Sequence, residues 1–251
     1  MLKKILNLVY LSVMTRASSK ILRKNQNRHY IPTIIYSSLE NENLRINDIN
    51  IVLDIIKVAN QSKLVLEKDP KNSKLYNKFP GEHYRLINAL VNVIKPEAIV
   101  EIGTDTGLSA KAMLEAIQSN GKGKLLSYDI IPIQDLDCYL TEIDLSNGLF
   151  EQRIADLSDD EIWAKEKMHL DESDVIFIDG PKNGLFEYDF IRKLTLLTEK
   201  KRIIIIDDIK FMNMINLWNS IQNPKIDLSS FGHFTGTGLV FCDDKLKLSG
   251  V

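Results

Sequence analysis

The stretch IVEIGTDTGLSA, residues 99–110, decides how the rest of this chain is read. Three branched apolar residues and Glu101 run into Gly103, a second glycine follows at 107, and an amphipathic segment begins at once. Glycines directly after a strand let the backbone turn sharply and approach a ligand closely. The helix behind them then points its N-terminus at the same spot. The pattern is not the dinucleotide fingerprint G-x-G-x-x-G but E-x-G-x-x-x-G, with Glu101 on the strand and Asp105 between the glycines. A pyrophosphate meets two carboxylates unfavourably there, whereas a cationic amino-acid cofactor does not.

Working outward, strand-like and helix-like segments alternate from Pro80 onward. PGEHYRLINALVNVI reads as a helix closed by Lys95 and Pro96, EAIVEIG as a buried strand and GLSAKAMLEAIQS as a helix stopping at Asn120 and Gly121. KLLSYDI and LFEQRIAD are the next strands. SDVIFIDG and KRIIIIDD are nearly all-apolar runs, the mark of strands covered on both faces. Helices are expected over 184–198 and 210–222, and KIDLSSF and GTGLVFCDD close the chain as two strands without a helix between them. Alternation of this kind predicts a Rossmann-like α/β fold: a mostly parallel seven-stranded sheet with a C-terminal antiparallel hairpin.

Upstream, residues 48–66 have helical periodicity, and EKDPKNSK interrupts it. We expect residues 1–75 to be a helical N-terminal extension, serving as lid or oligomerisation element, and residues 76–251 to be the main domain. The apolar run at 5–14 behind Lys3 and Lys4 is too short to span a bilayer, and Arg16 falls where a signal-peptide cleavage region is small and neutral. An amphipathic helix suits this run better.

Bulk properties exclude several classes. The 32 basic and 34 acidic residues leave a formal net charge of -2, which gives no electrostatic footprint for nucleic acid. Cys138 and Cys242, the two cysteines, have no metal-type spacing, and a reducing cytoplasmic setting is the simple reading.

Acidic residues stand at successive strand ends. Asp129 ends the second strand, where a carboxylate can accept both ribose hydroxyls, and Asp156 follows the third, placed for an adenine amino group. A turn or cap role is the plain alternative for Asp156. Asp179 ends the fourth strand, and Asp207 and Asp208 end the fifth. Three carboxylates at neighbouring strand ends need a cation or protons, and an all-oxygen set suits Mg²⁺ or a similar hard ion. The alternatives are a turn at Asp179-Gly180-Pro181, an exposed Lys182, and a helix cap at Asp207 and Asp208.

VEIGTDTGLSA and the order of these acids resemble the metal-dependent O-methyltransferases of class I, the catechol and caffeoyl-CoA type. The resemblance runs from about residue 78 to 244. It implies S-adenosylmethionine as cofactor, with Glu101 on its methionine or ribose part and Gly103, Asp105, Gly107 and Ser109 in the same pocket. It also implies Asp129 on the ribose, Ile130 and Asp156 flanking the adenine, and Asp179, Asp207 and Asp208 as metal ligands. Position 208 departs from the family's Asn and adds a negative charge. Lys182 occupies the place of the family's catalytic lysine, a general base whose pKa a dication and a dry pocket would lower. The segment 131–150 and the loop after Asp208 do not resemble the family's plant or animal acceptor sites, so a sugar, a phenol or another secondary-metabolite hydroxyl is open as acceptor.

Two histidines are further acid–base candidates: His233, in the hairpin connection SSFGHFTGTG, and His83, beside Glu82. Trp163, Trp218 and the group Phe211, Met212 and Met214 are either an acceptor wall or core. Against the leading expectation stand a metal-independent methyltransferase with His233 as base, a nicotinamide-dependent oxidoreductase, and a non-catalytic partner subunit. Relatives of this type are often dimers, so a homodimer is a further expectation.

Overall fold

A computed structural model of the chain describes residues 44–68, 82–182, 185–232 and 235–249. Seven strands form one sheet: β1 (Ala98–Ile102), β2 (Lys124–Asp129), β3 (Phe150–Ile154), β4 (Val175–Ile178), β5 (Arg202–Asp207), β6 (Lys225–Asp227) and β7 (Thr237–Cys242). Their order is β3-β2-β1-β4-β5-β7-β6. The first five run parallel, and β7 is antiparallel to both β5 and β6.

Alternation of side chains explains why β4 and β5 read as unbroken apolar runs. Ile99, Val175, Phe177, Ile203 and Ile205 enter one core, and Val100, Ile102, Ile176, Ile178, Ile204 and Ile206 enter the other. Both faces are covered, so neither parity tolerates water. Helices α1 (Ile46–Gln61), α2 (Glu82–Ile94) and α3 (Leu108–Asn120) supply Val52, Ile55, Leu86, Leu90, Met113 and Leu114 to the first core. Helices α5 (Asp160–Glu172), α6 (Phe186–Leu194) and α7 (Met214–Ser220) supply Trp163, Phe190 and Trp218 to the second. A five-residue helix, α4 (Glu142–Ser146), precedes β3. The expected N-terminal extension is thus described from residue 44 to 68; its residues 1–43, with the run at 5–14, and 69–75 lie outside the described residues.

Several boundaries differ from the sequence reading for identifiable reasons. Helix α5 fills a stretch that the sequence reading left without a helix. Its segment DEIWAKEKMHLDE buries only Trp163 and Leu170, so it shows almost no apolar stripe. Asp159 caps it instead, accepting from the N–H groups of Glu161 and Ile162 at 2.8 and 3.0 Å. Helix α6 ends at Leu194, not at 198, and α7 spans Met214–Ser220 instead of 210–222. Trp163 meets Phe190 edge-on at 5.7 Å and Trp218 is buried under Lys225, 4.9 Å from its ring, so both tryptophans are core. Among the described residues no helix is long and apolar enough to cross a membrane.

The turn after β1 has the tightest backbone requirement. Gly103 has φ +96°, and a Cβ there would lie 2.1 Å from the Asp179 carbonyl oxygen. Gly148 also has positive φ, at +74°, but a Cβ there meets nothing within 4 Å. Gly148→Ala is therefore expected to cost about 1 kcal/mol, the conformational term alone. Gly103→Ala adds a backbone clash and is expected to cost about 3 kcal/mol or more. Denaturant unfolding of the two variants measures the difference, and equal losses would contradict this packing.

Candidate active site

The sheet reverses its strand order at β1, whose neighbours are β2 and β4, and ligands of such sheets bind outside the C-terminal strand ends at that point. A cleft of about 860 Å³ opens there. Gly103, Asp105, Asp129, Ile130 and Asp156 line it, together with Asp179 and Pro181. Gly107 is the left-handed N-cap of α3, at φ +81°, and completes the turn behind this lining. Asp129 holds the turn in shape. Its Oδ2 accepts from the Asp105 N–H at 2.9 Å and its Oδ1 from the Ile131 N–H at 3.0 Å. Each carboxylate oxygen has two lone pairs, so capacity for a diol remains. Asp156 also makes a turn of its own, accepting from the Ser158 hydroxyl at 2.6 Å and N–H at 2.9 Å. Those bonds hold its carboxyl below the ordinary carboxylate range.

Glu101 lies beneath this lining, not in it. It is fully buried, and its two oxygens accept from Ser109 Oγ and Ser127 Oγ, each at 2.5 Å. Ser127 is its register partner on β2, and Ser109 stands on the first turn of α3. Burial pushes the Glu101 carboxyl up from 4.5 to about 7, against the two serine hydrogen bonds that favour the charged form.

The ends of β4 and β5 bring Asp179, Asp207 and Asp208 together, with one ligand atom of each within 4.8 Å of the others. Lys182 reaches into the same group. Its Nζ pairs with Asp179 Oδ1, and lies 3.0 Å from Asp208 Oδ2 and 3.8 Å from Asp207 Oδ2. Burial opposes the charge on Lys182, but the field of Asp207 and Asp208 outweighs it, so its pKa is raised. The expected lowering belongs to the dication-bound group; the carboxylates by themselves act in the opposite direction. Asp105, Lys182 and Asp208 have positive φ, between 41° and 57°, which for non-glycine residues is strain gathered at one place.

Of the histidines, His233 lies outside the described residues. His83 is buried against the rings of Tyr84 and Phe177, with Nδ1 at 3.4 Å from Thr237 Oγ1 and 4.0 Å from Asp207 Oδ1. It faces the acid group and not the glycine turn. Met214 is buried and Met212 exposed, and Phe211 is intermediate, so that trio forms no common wall. Sequence reasoning missed two features. Glu187, fully buried on α6, accepts the Lys182 backbone N–H at 2.5 Å and thereby holds the loop that presents the lysine. Ser127 is the other; a lone serine in KLLSYD, at the parity of the buried Leu125, was its signal.

Comparison with known proteins places this geometry. Residues 100–209 match the family described as methyltransferase domain. A Staphylococcus aureus protein assigned as a caffeoyl-CoA O-methyltransferase superposes with a TM-score of 0.52 at 14% identity, covering 78% of this chain and 100% of its own. The O-methyltransferase TomG of Streptomyces achromogenes, involved in tomaymycin synthesis and in complex with SAM, gives 0.48 at 16%, covering 74% and 95%. The Podospora anserina methyltransferase PaMTH1, with SAH bound, gives 0.47 at 15%, covering 91% and 96%. At these identities the first likeness establishes the class I methyltransferase fold. No curated protein matches the chain.

Glu101 sets a pH dependence of stability. A carboxyl raised from 4.5 to about 7 binds its proton more tightly in the folded state, so its ionisation destabilises the fold only above pH 4.5 and fully above pH 7. Glu101→Gln is expected to gain on the wild type by about 1.4 kcal/mol per pH unit across that window, levelling near 3 kcal/mol. Unfolding free energies from pH 4 to 8 test this, and a constant difference between the two proteins would refute it.

Proposed function

We propose that the chain transfers the methyl group of S-adenosylmethionine to a hydroxyl oxygen of a small molecule, assisted by a divalent cation such as Mg²⁺. One observation carries the reading: Asp179 belongs both to the cleft lining and to the acid group that Lys182 enters, so cofactor and acceptor chemistry share a wall. In the cleft, Asp129 is assigned the ribose hydroxyls, Ile130 and Asp156 the adenine, and Asp105, with Glu101 buried beneath it, the cationic amino-acid end. Gly103 and Gly107 let the backbone approach it, and Ser109 orients Glu101.

The donor set fits a hard ion. Asp179, Asp207 and Asp208 offer only oxygen and sum to more negative charge than Lys182 offsets, which favours a small dication over a softer metal. When bound, such an ion supplies Lewis acidity to the acceptor hydroxyl. The chain's own residues do the rest. The Asp179 end of the cleft orients the methyl group, whose carbon leaves sulfur for the acceptor oxygen in one in-line displacement. With a dication offsetting the field of Asp207 and Asp208 that otherwise keeps Lys182 charged, its neutral Nζ would be the group within reach to take the hydroxyl proton, and Glu187 fixes the loop that carries it. The acceptor class is a sugar, phenol or secondary-metabolite hydroxyl, with vicinal oxygens suited to a shared cation.

A second reading, methyl transfer without metal, is favoured by Lys182 itself, whose ammonium already sits among the three aspartates. Calorimetric titration with S-adenosylhomocysteine, with Mg²⁺ and with EDTA, tests both. Binding is expected, with Asp129→Asn weakening it roughly 10- to 100-fold through the loss of charged hydrogen bonds. A heat of Mg²⁺ binding that disappears in Asp207→Asn supports the metal-assisted reading; its absence from the folded wild type favours the second. Failure to bind S-adenosylhomocysteine in any condition would overturn the function altogether.

A further inference from the structure

Beneath the glycine turn, Glu101 is reached by a buried polar chain whose outer members, Ser127 and Thr104, the proposed chemistry has not used. Thr104, on the turn, is 1% exposed, and its Oγ1 lies 2.7 Å from Ser127 Oγ. Ser127, 0% exposed, donates in turn to Glu101 Oε2. A hydroxyl has one proton to give, so a donation from Ser127 to Glu101 makes Thr104 the donor to Ser127. The chain of donors then runs from the cofactor turn inward, Thr104 to Ser127 to Glu101, and Ser109 donates to the other carboxylate oxygen. Every donor points toward the carboxylate and therefore favours its ionised form.

We infer that Ser127, backed by Thr104, is a positioning residue that holds Glu101 ready for the ammonium group of the cofactor and makes cofactor loading depend on pH. The inference rests on the cofactor assignment above. An ammonium needs a carboxylate partner, while full burial of Glu101 favours the carboxylic acid. Loading at acidic pH therefore exchanges one proton on Glu101 for the cation. The serine sets the pH at which that exchange stops costing affinity.

The other charges around Glu101 are accounted for. Asp129, at the end of β2, opposes its ionisation. Phe177 of β4 is its other register partner, and His83 of α2 packs across that ring. Asp207 ends β5 on the same face, two residues beyond Ile205. On α3, Lys111 is engaged by Asp144, and Glu115 accepts from the backbone of Val65 and Leu66. Arg85 of α2 is paired with Glu67.

The test is the affinity for S-adenosylhomocysteine, which keeps the ammonium, measured by calorimetry from pH 5.5 to 8.5. The wild-type affinity is expected to rise toward roughly tenfold per pH unit below pH 7 and to flatten above it, with a proton released at pH 6. That release appears as a dependence of the heat on the buffer's ionisation enthalpy. Ser127→Ala is expected to move the bend about one unit upward, weakening binding up to about tenfold near pH 7 but by less than about twofold at pH 8.5. Ser127→Thr restores the wild-type profile, and Thr104→Val shifts it the same way by less. An affinity that is flat with pH in the wild type, or an equal loss at every pH in Ser127→Ala, overturns the inference while leaving the cofactor assignment standing. No binding at any pH by the folded wild type overturns both.

Discussion

The approach of the Gly103 backbone to the Asp179 carbonyl fixes the distance between the two halves of the site. Asp179 donates its N–H to the Ile102 carbonyl at 2.8 Å, so the ladder between β1 and β4 continues to the point where each strand turns away. A side chain at 103 would push the turn off the end of β4 and separate the cleft from the acid group. Asp129 then ties the far side of the same turn through the Asp105 N–H. The turn is thus clamped from both neighbouring strands, and the strained backbones of Asp105, Lys182 and Asp208 are tolerated because the rigid parallel sheet over-determines them.

Charge is distributed unevenly around this clamp. The acid group at the ends of β4 and β5 is shared with one lysine, while Glu101 is paired with hydroxyls alone among its hydrogen-bond donors named above. Lys182 is therefore held charged, and Glu101 is balanced near neutrality. Two titratable groups on adjoining strands are pushed in different ways, one held as a cation by its carboxylate neighbours and the other an acid whose proton is released to solvent when a cation takes its place.

Much of this was legible in the sequence because the signals were local. The β1 turn, the apolar runs of β4 and β5 and the acids at five strand ends are each contained within a dozen residues, and the structure places them at one end of one sheet. What escaped depended on partners distant in sequence. Helix α5 has a polar surface because only Trp163 and Leu170 are buried in the core, so periodicity could not reveal it. Ser127 acquires meaning only from its register with Glu101, and Glu187 only from the loop that folds back over it. The field at Lys182 has a related origin: burial is inferable from a motif, but the sum of nearby charges depends on groups brought together from separate strand ends.

The position of β7 also bears on how the molecule is made. This strand is later in sequence than β5 and β6 yet lies between them, and it is fully buried along its length. Until residues 237–242 have left the ribosome, the run Ile203–Ile206 ends the sheet as an unpaired apolar edge. An elongating chain thus spends the synthesis of about thirty residues, on the order of several seconds or less, with an aggregation-prone edge that only its last strand can close. A chaperone that shields exposed strand edges during translation would protect this chain at that stage and have nothing left to bind once β7 is in place.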